Sequence, residues 1–501
     1  MPSCLSSLRS VLVPQRDRSS HVPQEGPSQR PCTQGVAPSL QEEKGGMSIQ
    51  SHSHSHTGCC DFTPLPVYSA HDGTISAHVQ QTDLPEPSDE TKELFEDLQA
   101  KINALDKELR GLSLKMWDLK EVAWEERKTH DLFIDYFTDL NKRAPNGSPK
   151  WKLTPHAHGF ETAWRAEFVN APNGEASKDI PCVGFNSELD ALPGIGHACG
   201  HNLIAIAGIA ASLSVASHLV EKRIAGKVAL LGTPAEERDG GKIDLLAKGA
   251  YDGMDACLMV HPTPANTVGS FLAVVPVRVD FSGKTAHAGM APWEGVNALD
   301  AAVLAYNNIS LLRQQIRPDC RVHGIISGND WAPNVIPSSS RLTYNVRAPD
   351  VATLTPLRER VHKCFEAASL ATGCKVDITW GKTYEDTRNS APLSLAYRAL
   401  MKSVYNADYS TASVSGSTDF GNVTHALPGC HPTYAIKLEN PAGDGNHTIG
   451  FANAAKTLEA HERTKEAAAG IATVGAQALI DAQFRKQVKD EFEAWKKDQK
   501  K

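Results

Sequence analysis

Apolar positions along the chain fall into three regimes. Residues 1–86 show no apolar period; Ser, Pro, Gln, Gly and His dominate, and so little can be buried that a disordered tail is expected. Helical spacing begins after Ser88, an expected N-cap with Asp89 and Glu90 behind it. Leu94, Leu98, Ile102, Leu105, Leu109 and Leu112 then recur on one stripe, and a second helical stretch is predicted over 116–140. From Pro181 the pattern changes to short apolar runs, 181–185, 228–231, 256–260 and 433–438, alternating with helical segments such as 203–220. That alternation predicts an α/β domain with a mainly parallel central sheet.

A different pattern interrupts it over 271–384. Val277, Val279 and Phe281 alternate with Arg278 and Asp280, as on a half-buried strand. A helix follows over 296–313 with Leu299, Val303, Tyr306 and Ile309 on one stripe. Strands are predicted at 321–327 and 341–347, a helix opening at Thr355 and Pro356, and a last strand at 375–380. The order βαββαβ is that of a ferredoxin-like unit. It divides the larger domain into 87–270 and 385–501.

At 501 residues the chain exceeds one ordinary core, in keeping with two domains. A formal charge of -7 without a basic stripe argues against nucleic acid as partner. The most apolar segment, 203–220, is interrupted by Ser212, Ser214, Ser217 and His218, so no membrane span is expected. The 11 cysteines show no repeated spacing, which suits a reducing compartment and a cytoplasmic protein. Arg9, Arg16, Arg18 and Arg30 among serines offer a weaker mitochondrial alternative, and Met47 an alternative start.

The chemistry gathers where predicted strands end. Glu188, Asp190, His197, Cys199 and His201 crowd between one strand and the next helix; Glu236 and Glu237 follow the second strand, and His261 the third. Carboxylate, imidazole and thiolate are the side-chain donors that Zn²⁺ accepts. In open α/β sheets ligands bind beyond the carboxyl ends of strands, so a metal site is implied. A thiol hydrolase with Cys199 as nucleophile and His201 or His197 as base is the competing chemistry. It leaves Glu237, His261 and His447 without a role.

Five motifs in order carry a resemblance: Asp190-Ala191-Leu192-Pro193, His197-Ala198-Cys199-Gly200-His201-Asn202, Pro234-Ala235-Glu236-Glu237, Asn334-Val335-Ile336-Pro337 and Gly416-Ser417-Thr418-Asp419. Over about 90–480 the chain resembles the co-catalytic metal-dependent exopeptidases and amidohydrolases, a family that includes aminoacylases, carnosine dipeptidases, auxin-conjugate hydrolases and aminobenzoyl-glutamate hydrolase. The resemblance implies a zinc-exopeptidase-like domain, with the inserted unit as lid and dimer surface. It implies Cys199, His201, Glu237, His261 and His447 as ligands of two divalent ions, Zn or Mn, with Glu236 as general base. Asp190 and His197 fall behind the ligands, His197 remaining a candidate ligand. His287 matches a histidine that steadies the oxyanion, commonly across the dimer interface; Asn334 and Arg347 match groups that hold a substrate carboxylate, and Ser417 lies in the loop that meets substrate. Two departures stand out. Glu188-Leu189-Asp190 replaces the His-x-Asp of many relatives, and Asn202 replaces an Asp. The implied activity is metal-dependent hydrolysis of dipeptides or N-acyl amino acids with a free carboxylate, by a homodimer paired through the lid. The alternatives are an inactive peptide-binding relative and an aminobenzoyl-glutamate or N-acyl conjugate amidohydrolase.

Overall fold

The structure, a computed structural model, describes residues 84–145, 148–175 and 180–499. The tail expected over 1–86 lies, up to residue 83, outside the described residues, as do Lys500 and Lys501. In chain order the described strands are β1 Lys152–Thr154, β2 Trp164–Asn170, β3 Cys182–Glu188, β4 Gly226–Thr233, β5 Ala256–Leu258, β6 His261–Thr263, β7 Ala273–Ser282, β8 Arg321–Ser327, β9 Ser339–Ala348, β10 Lys375–Trp380, β11 Gly429–Cys430 and β12 Thr433–Ala435.

Order begins where a cap can start it: the Ser88 hydroxyl accepts from Thr91 N at 3.2 Å and opens the helix Asp89–Ala104. The leucine stripe continues, but not as one helix. It breaks at Leu105, and Asp106 begins a second helix, Asp106–Leu119, with its carboxylate 2.5 Å from Lys465 Nζ and 3.0 Å from His461 Nε2. The stretch predicted over 116–140 is also divided. Lys120 turns left-handed (φ 52), and Arg127–Arg143 starts only after a loop that returns to the centre of the molecule, where Val122 bridges Ala191.

Among the described residues the central sheet has six strands in the order β1-β2-β4-β3-β5-β11. Strands β4, β3, β5 and β11 run parallel, while β2 pairs antiparallel with both β1 and β4. The helix His201–Glu221 lies against the sheet, buried on nearly every side. It is long and apolar enough to cross a membrane by composition alone, but here it is core. Close packing needs its small residues: a Cβ at Gly208 would sit 2.4 Å from the carbonyl oxygen of Asn186 on β3. The run 433–438 forms only a short strand. It pairs with β6 in a separate two-stranded sheet, because Pro432 has no N–H with which to continue the ladder from β11.

The inserted unit has the predicted βαββαβ order. Its sheet is antiparallel throughout, in the order β10-β7-β9-β8. One face buries Val275, Val277, Val279, Leu342, Tyr344 and Val346 under the helices Ala298–Leu311 and Val351–Thr372. The second helix opens before the predicted Thr355-Pro356, because the Asp350 side chain accepts from Thr353 N at 2.6 Å and caps the turn that precedes the proline. Alternation then puts Arg278, Arg341, Asn345 and Arg347 on the other face, away from the helices.

Candidate metal centre and active cleft

Because β3 and β4 are parallel neighbours in register at Glu188 and Thr233, their carboxyl ends deliver side chains to one place. Asp190 then clamps the turn after β4: its two carboxylate oxygens accept from Glu236 N at 3.1 Å and Glu237 N at 3.0 Å. That turn passes through a left-handed Ala235 (φ 57), whose N–H donates to Glu126 Oε1 at 2.9 Å. At the start of the helix His201–Glu221, Gly200 is also left-handed (φ 81), and a Cβ there would meet Pro262 at 2.5 Å. The glycine lets the Cys199 and His201 segment pack onto β6.

The donors converge. His201 Nδ1 donates to the Asp190 carbonyl at 2.7 Å, which turns Nε2 inward to 3.2 Å from Glu188 Oε2 and 3.8 Å from Glu236 Oε2 and Glu237 Oε1. His261 Nδ1 donates to the Pro262 carbonyl at 2.8 Å, leaving Nε2 3.3 Å from Cys199 Sγ. His447, left-handed at φ 69 and held by its N–H on the Ala198 carbonyl, stands at the exposed rim with Nε2 3.3 Å from Glu237 Oε2. The sets Cys199, His201, His261 and Cys199, Glu237, His447 each bring three donor atoms within 4.8 Å of one another. The structure thus gathers all five candidate ligands, with Glu236 among them.

Two observations show that these residues suit divalent cations. Glu188 Oε2, His201 Nε2 and Glu237 Oε1 are buried and have no hydrogen-bond partner among the described residues, a costly arrangement unless something else satisfies them. The charges also call for a cation. Burial, with Glu188 and Glu237 alongside, pushes the Glu236 carboxyl well above its usual range; burial opposes charge on His201, yet Glu188 and Asp190 hold its imidazole well above the ordinary value. Burial, with Glu237 nearby, likewise raises the Cys199 thiol well above its usual range.

His197 is placed differently. It is buried with Nε2 at 3.0 Å from the Met116 carbonyl, it joins none of the donor groups found among the described residues, and burial lowers its pKa to about 3. It packs instead against the helix Asp106–Leu119. Glu188, for which the motifs suggest no role, lies directly under the donor cluster. Its other oxygen, Oε1, is 2.6 Å from Lys242 Nζ, and the same ammonium is 2.6 Å from Asp419 Oδ1, all three side chains being fully buried. Asp419 closes the Gly416-Ser417-Thr418-Asp419 motif. Lys242 gives no signal in the sequence, since a lysine in the first turn of a helix reads as solvent-exposed. Tyr384 is a further residue that no pattern marks: its hydroxyl donates to the Glu236 carbonyl at 2.8 Å.

Above this floor opens a cleft of about 1210 Å³ between the sheet ends and the helix-free face of the inserted sheet. Arg347 lines it, donating from Nη1 to Ser417 Oγ at 2.8 Å and from Nε to His323 Nε2 at 3.3 Å; no carboxylate pairs with it among the described residues. His287 and Asn334 do not line the cleft of their own chain. They sit on two exposed segments bridged to each other at His287 and Val335, where His287 Nδ1 accepts from Gly289 N and Met290 N, and the Asn334 carbonyl accepts from Ala288 N.

A sheet whose strand ends hold such a donor set, roofed by a βαββαβ insertion, defines a two-domain metallopeptidase. Residues 274–372 match the peptidase dimerisation domain of the M20 family. The Xaa-Arg dipeptidase of Homo sapiens is 40% identical over 398 residues, covering 77% of this chain and 88% of that protein. One of the subunits of p-aminobenzoyl-glutamate hydrolase from Escherichia coli is 28% identical over 287 residues, 53% of this chain and 57% of the relative. Among solved structures, a Bacillus subtilis protein described as a dinuclear metal binding peptidase from the M20 family aligns with a TM-score of 0.55 at 19% identity, covering 75% of this chain and 99% of that one. A putative aminohydrolase from Staphylococcus aureus aligns at 0.60 with 17% identity, covering 77% and 99%. The chain belongs to the M20 peptidase family.

Proposed function

We infer that the chain hydrolyses the amide bond of dipeptides, or of N-acyl amino acids, that keep a free carboxylate beside the scissile bond. The observation that carries this reading is the pairing, in one cleft, of a buried Glu236 among five metal-type donors with an Arg347 that has no carboxylate partner among the described residues. The human relative's name, Xaa-Arg dipeptidase, supports a dipeptide whose leaving residue is arginine. Cys199, His201, Glu237, His261 and His447 would hold two divalent cations, Zn²⁺ or Mn²⁺. When bound, such cations supply Lewis acidity and bring the pKa of water to about 7. Glu236, not needed as a ligand, takes the proton of the attacking water on its carboxylate and returns it to the departing amine. Asp190 and Tyr384 fix its backbone for both transfers. Arg347 holds the substrate carboxylate as a planar fork, with Ser417 keeping the guanidinium aimed. His287 and Asn334, exposed and outside the cleft lining of their own chain, would reach a reacting site as a partner's residues, in keeping with a homodimer paired through the lid.

The test is turnover of Xaa-Arg dipeptides by protein purified without chelator, with metal content measured in parallel. Close to two equivalents of metal, and activity lost on chelation and restored by Zn²⁺ or Mn²⁺, are expected. Full activity in metal-free protein overturns the reading.

A further inference from the structure

One acidic group in the cleft has no task in this reaction. Glu236 and Glu237 belong to the donor cluster, and the carboxylate of Asp244 is taken by Lys382 at 2.5 Å. Asp239 also lines the cleft, is exposed, and its carboxylate has no hydrogen-bond or ion-pair partner among the described residues. Its position is nevertheless fixed. The backbone is left-handed at φ 73, a conformation aspartate tolerates, and its carbonyl accepts from Lys382 Nζ at 2.8 Å. The chain then folds back so tightly that a Cβ at Gly241 would lie 1.9 Å from the Pro234 carbonyl oxygen. The turn that aims Glu236 therefore also presents Asp239.

Trp124 lines the same cleft. A bulky residue at φ 65 is a backbone outlier, and such outliers concentrate at functional sites. Its loop is joined to the Asp239 turn, since Glu126 Oε1 accepts from Ala235 N. An anion and an aromatic face within one pocket suit a planar guanidinium, which pairs with carboxylates and stacks on rings.

We propose that Asp239, with Trp124 as the aromatic wall, receives the cationic side chain of the leaving amino acid and sets a preference for dipeptides ending in a basic residue. The proposal rests on the dipeptidase reading above. Arg347 and Asp239 then divide the leaving residue between them: the guanidinium of the protein takes the α-carboxylate, and the carboxylate of the protein takes the side-chain cation. Two protein cations, Arg238 and Lys382, line the same cleft; Lys382 is taken by the Asp244 carboxylate and the Asp239 carbonyl, and among the described residues neither pairs with the Asp239 carboxylate.

The test compares two dipeptides that differ only in ending in arginine or in its neutral isostere citrulline, on metal-loaded wild-type enzyme and on Asp239→Asn. Wild type should favour arginine, less so as salt is added. In the variant the arginine-to-citrulline ratio of kcat/KM should fall on the order of tenfold. An unchanged ratio in Asp239→Asn overturns the assignment while leaving the dipeptidase reading intact. Equal use of arginine and citrulline by wild type overturns the basic preference in the same way. If the metal-loaded wild type cleaves neither peptide, the dipeptidase reading falls and this inference with it.

Discussion

The floor of the cleft and its roof are built on opposite terms. In the floor, Cys199, His201 and His261 are buried, and each imidazole is locked by one ring nitrogen on a backbone carbonyl so that the other points inward. In the roof, Arg347 is half-buried and held by two neutral partners, while His287 and Asn334 are exposed on two segments outside the lining of their own cleft. The floor is therefore preorganised within one chain, as metal ligands need to be. In the proposed homodimer the roof is completed by lid residues of the partner. Perturbing the floor should cost chemistry and stability; perturbing the roof should cost substrate recognition and should depend on how chains are paired.

The largest effect is expected at the base. Glu236→Gln keeps the volume but cannot take a proton, so kcat should fall by about 10²–10⁴ while metal content stays near that of wild type. Steady-state kinetics with metal analysis of the same preparation decides the point. A variant within tenfold of wild type would remove Glu236 from the proton path.

Next comes the buried ion triad beneath the donor cluster. Burial disfavours charge on Lys242, yet Asp419 and Glu188 hold it protonated; against the cost of its own burial, Glu188 is held down to about 2 by that ammonium, whereas burial lifts Asp419 to about 6. Lys242→Met removes the ammonium that the two buried carboxylates share, which should cost about 3–5 kcal/mol of stability. A depressed carboxylate stabilises the fold above its unfolded pKa and loses that contribution as the pH falls towards the folded value. The deficit of the variant should therefore be widest near neutrality and narrow in acid. Thermal melts across pH measure it, and a deficit independent of pH would mean that lost packing, not charge, is responsible.

These regions are not equally readable from sequence. The donor positions are legible because strand ends punctuate the chain: each apolar run stops at a polar residue, and parallel neighbours in register place those residues side by side. Trp164–Asn170 alternates buried and half-exposed positions and could be recognised as a strand by the same rule, but its alternation is short and carries a buried Asn170. Lys242 cannot be found this way, because nothing local distinguishes a lysine that will be buried between two carboxylates from one that points to water. The division of the leucine stripe at Leu105 is hidden for a similar reason: the anchors of Asp106, His461 and Lys465, lie more than three hundred residues on. The proposed pairing of lids would be a property of two chains, which no periodicity in one chain reports.

On the roof, Arg347→Ala should lower kcat/KM by about 10–100-fold, the worth of a charged hydrogen bond. Converting the substrate carboxylate to an amide should cost wild type a similar factor and the variant little. That double cycle separates a carboxylate contact from a general disturbance of the cleft. Additive losses would place the substrate carboxylate elsewhere.

The smallest signal is the most direct probe of the contrast between floor and roof. His287→Ala and Glu236→Gln chains should each be nearly inactive alone. If the lid of one chain completes the cleft of the other, a dimer of the two variants contains one cleft with both residues intact and one with neither. Random pairing puts such dimers at about half of the population, so the mixture should recover about a quarter of wild-type activity. A lid serving its own cleft would leave every site short of one residue, and mixing would recover nothing. Refolding or subunit exchange before the assay is needed to form mixed dimers, and a tag on one chain allows them to be isolated and the recovered turnover assigned to them.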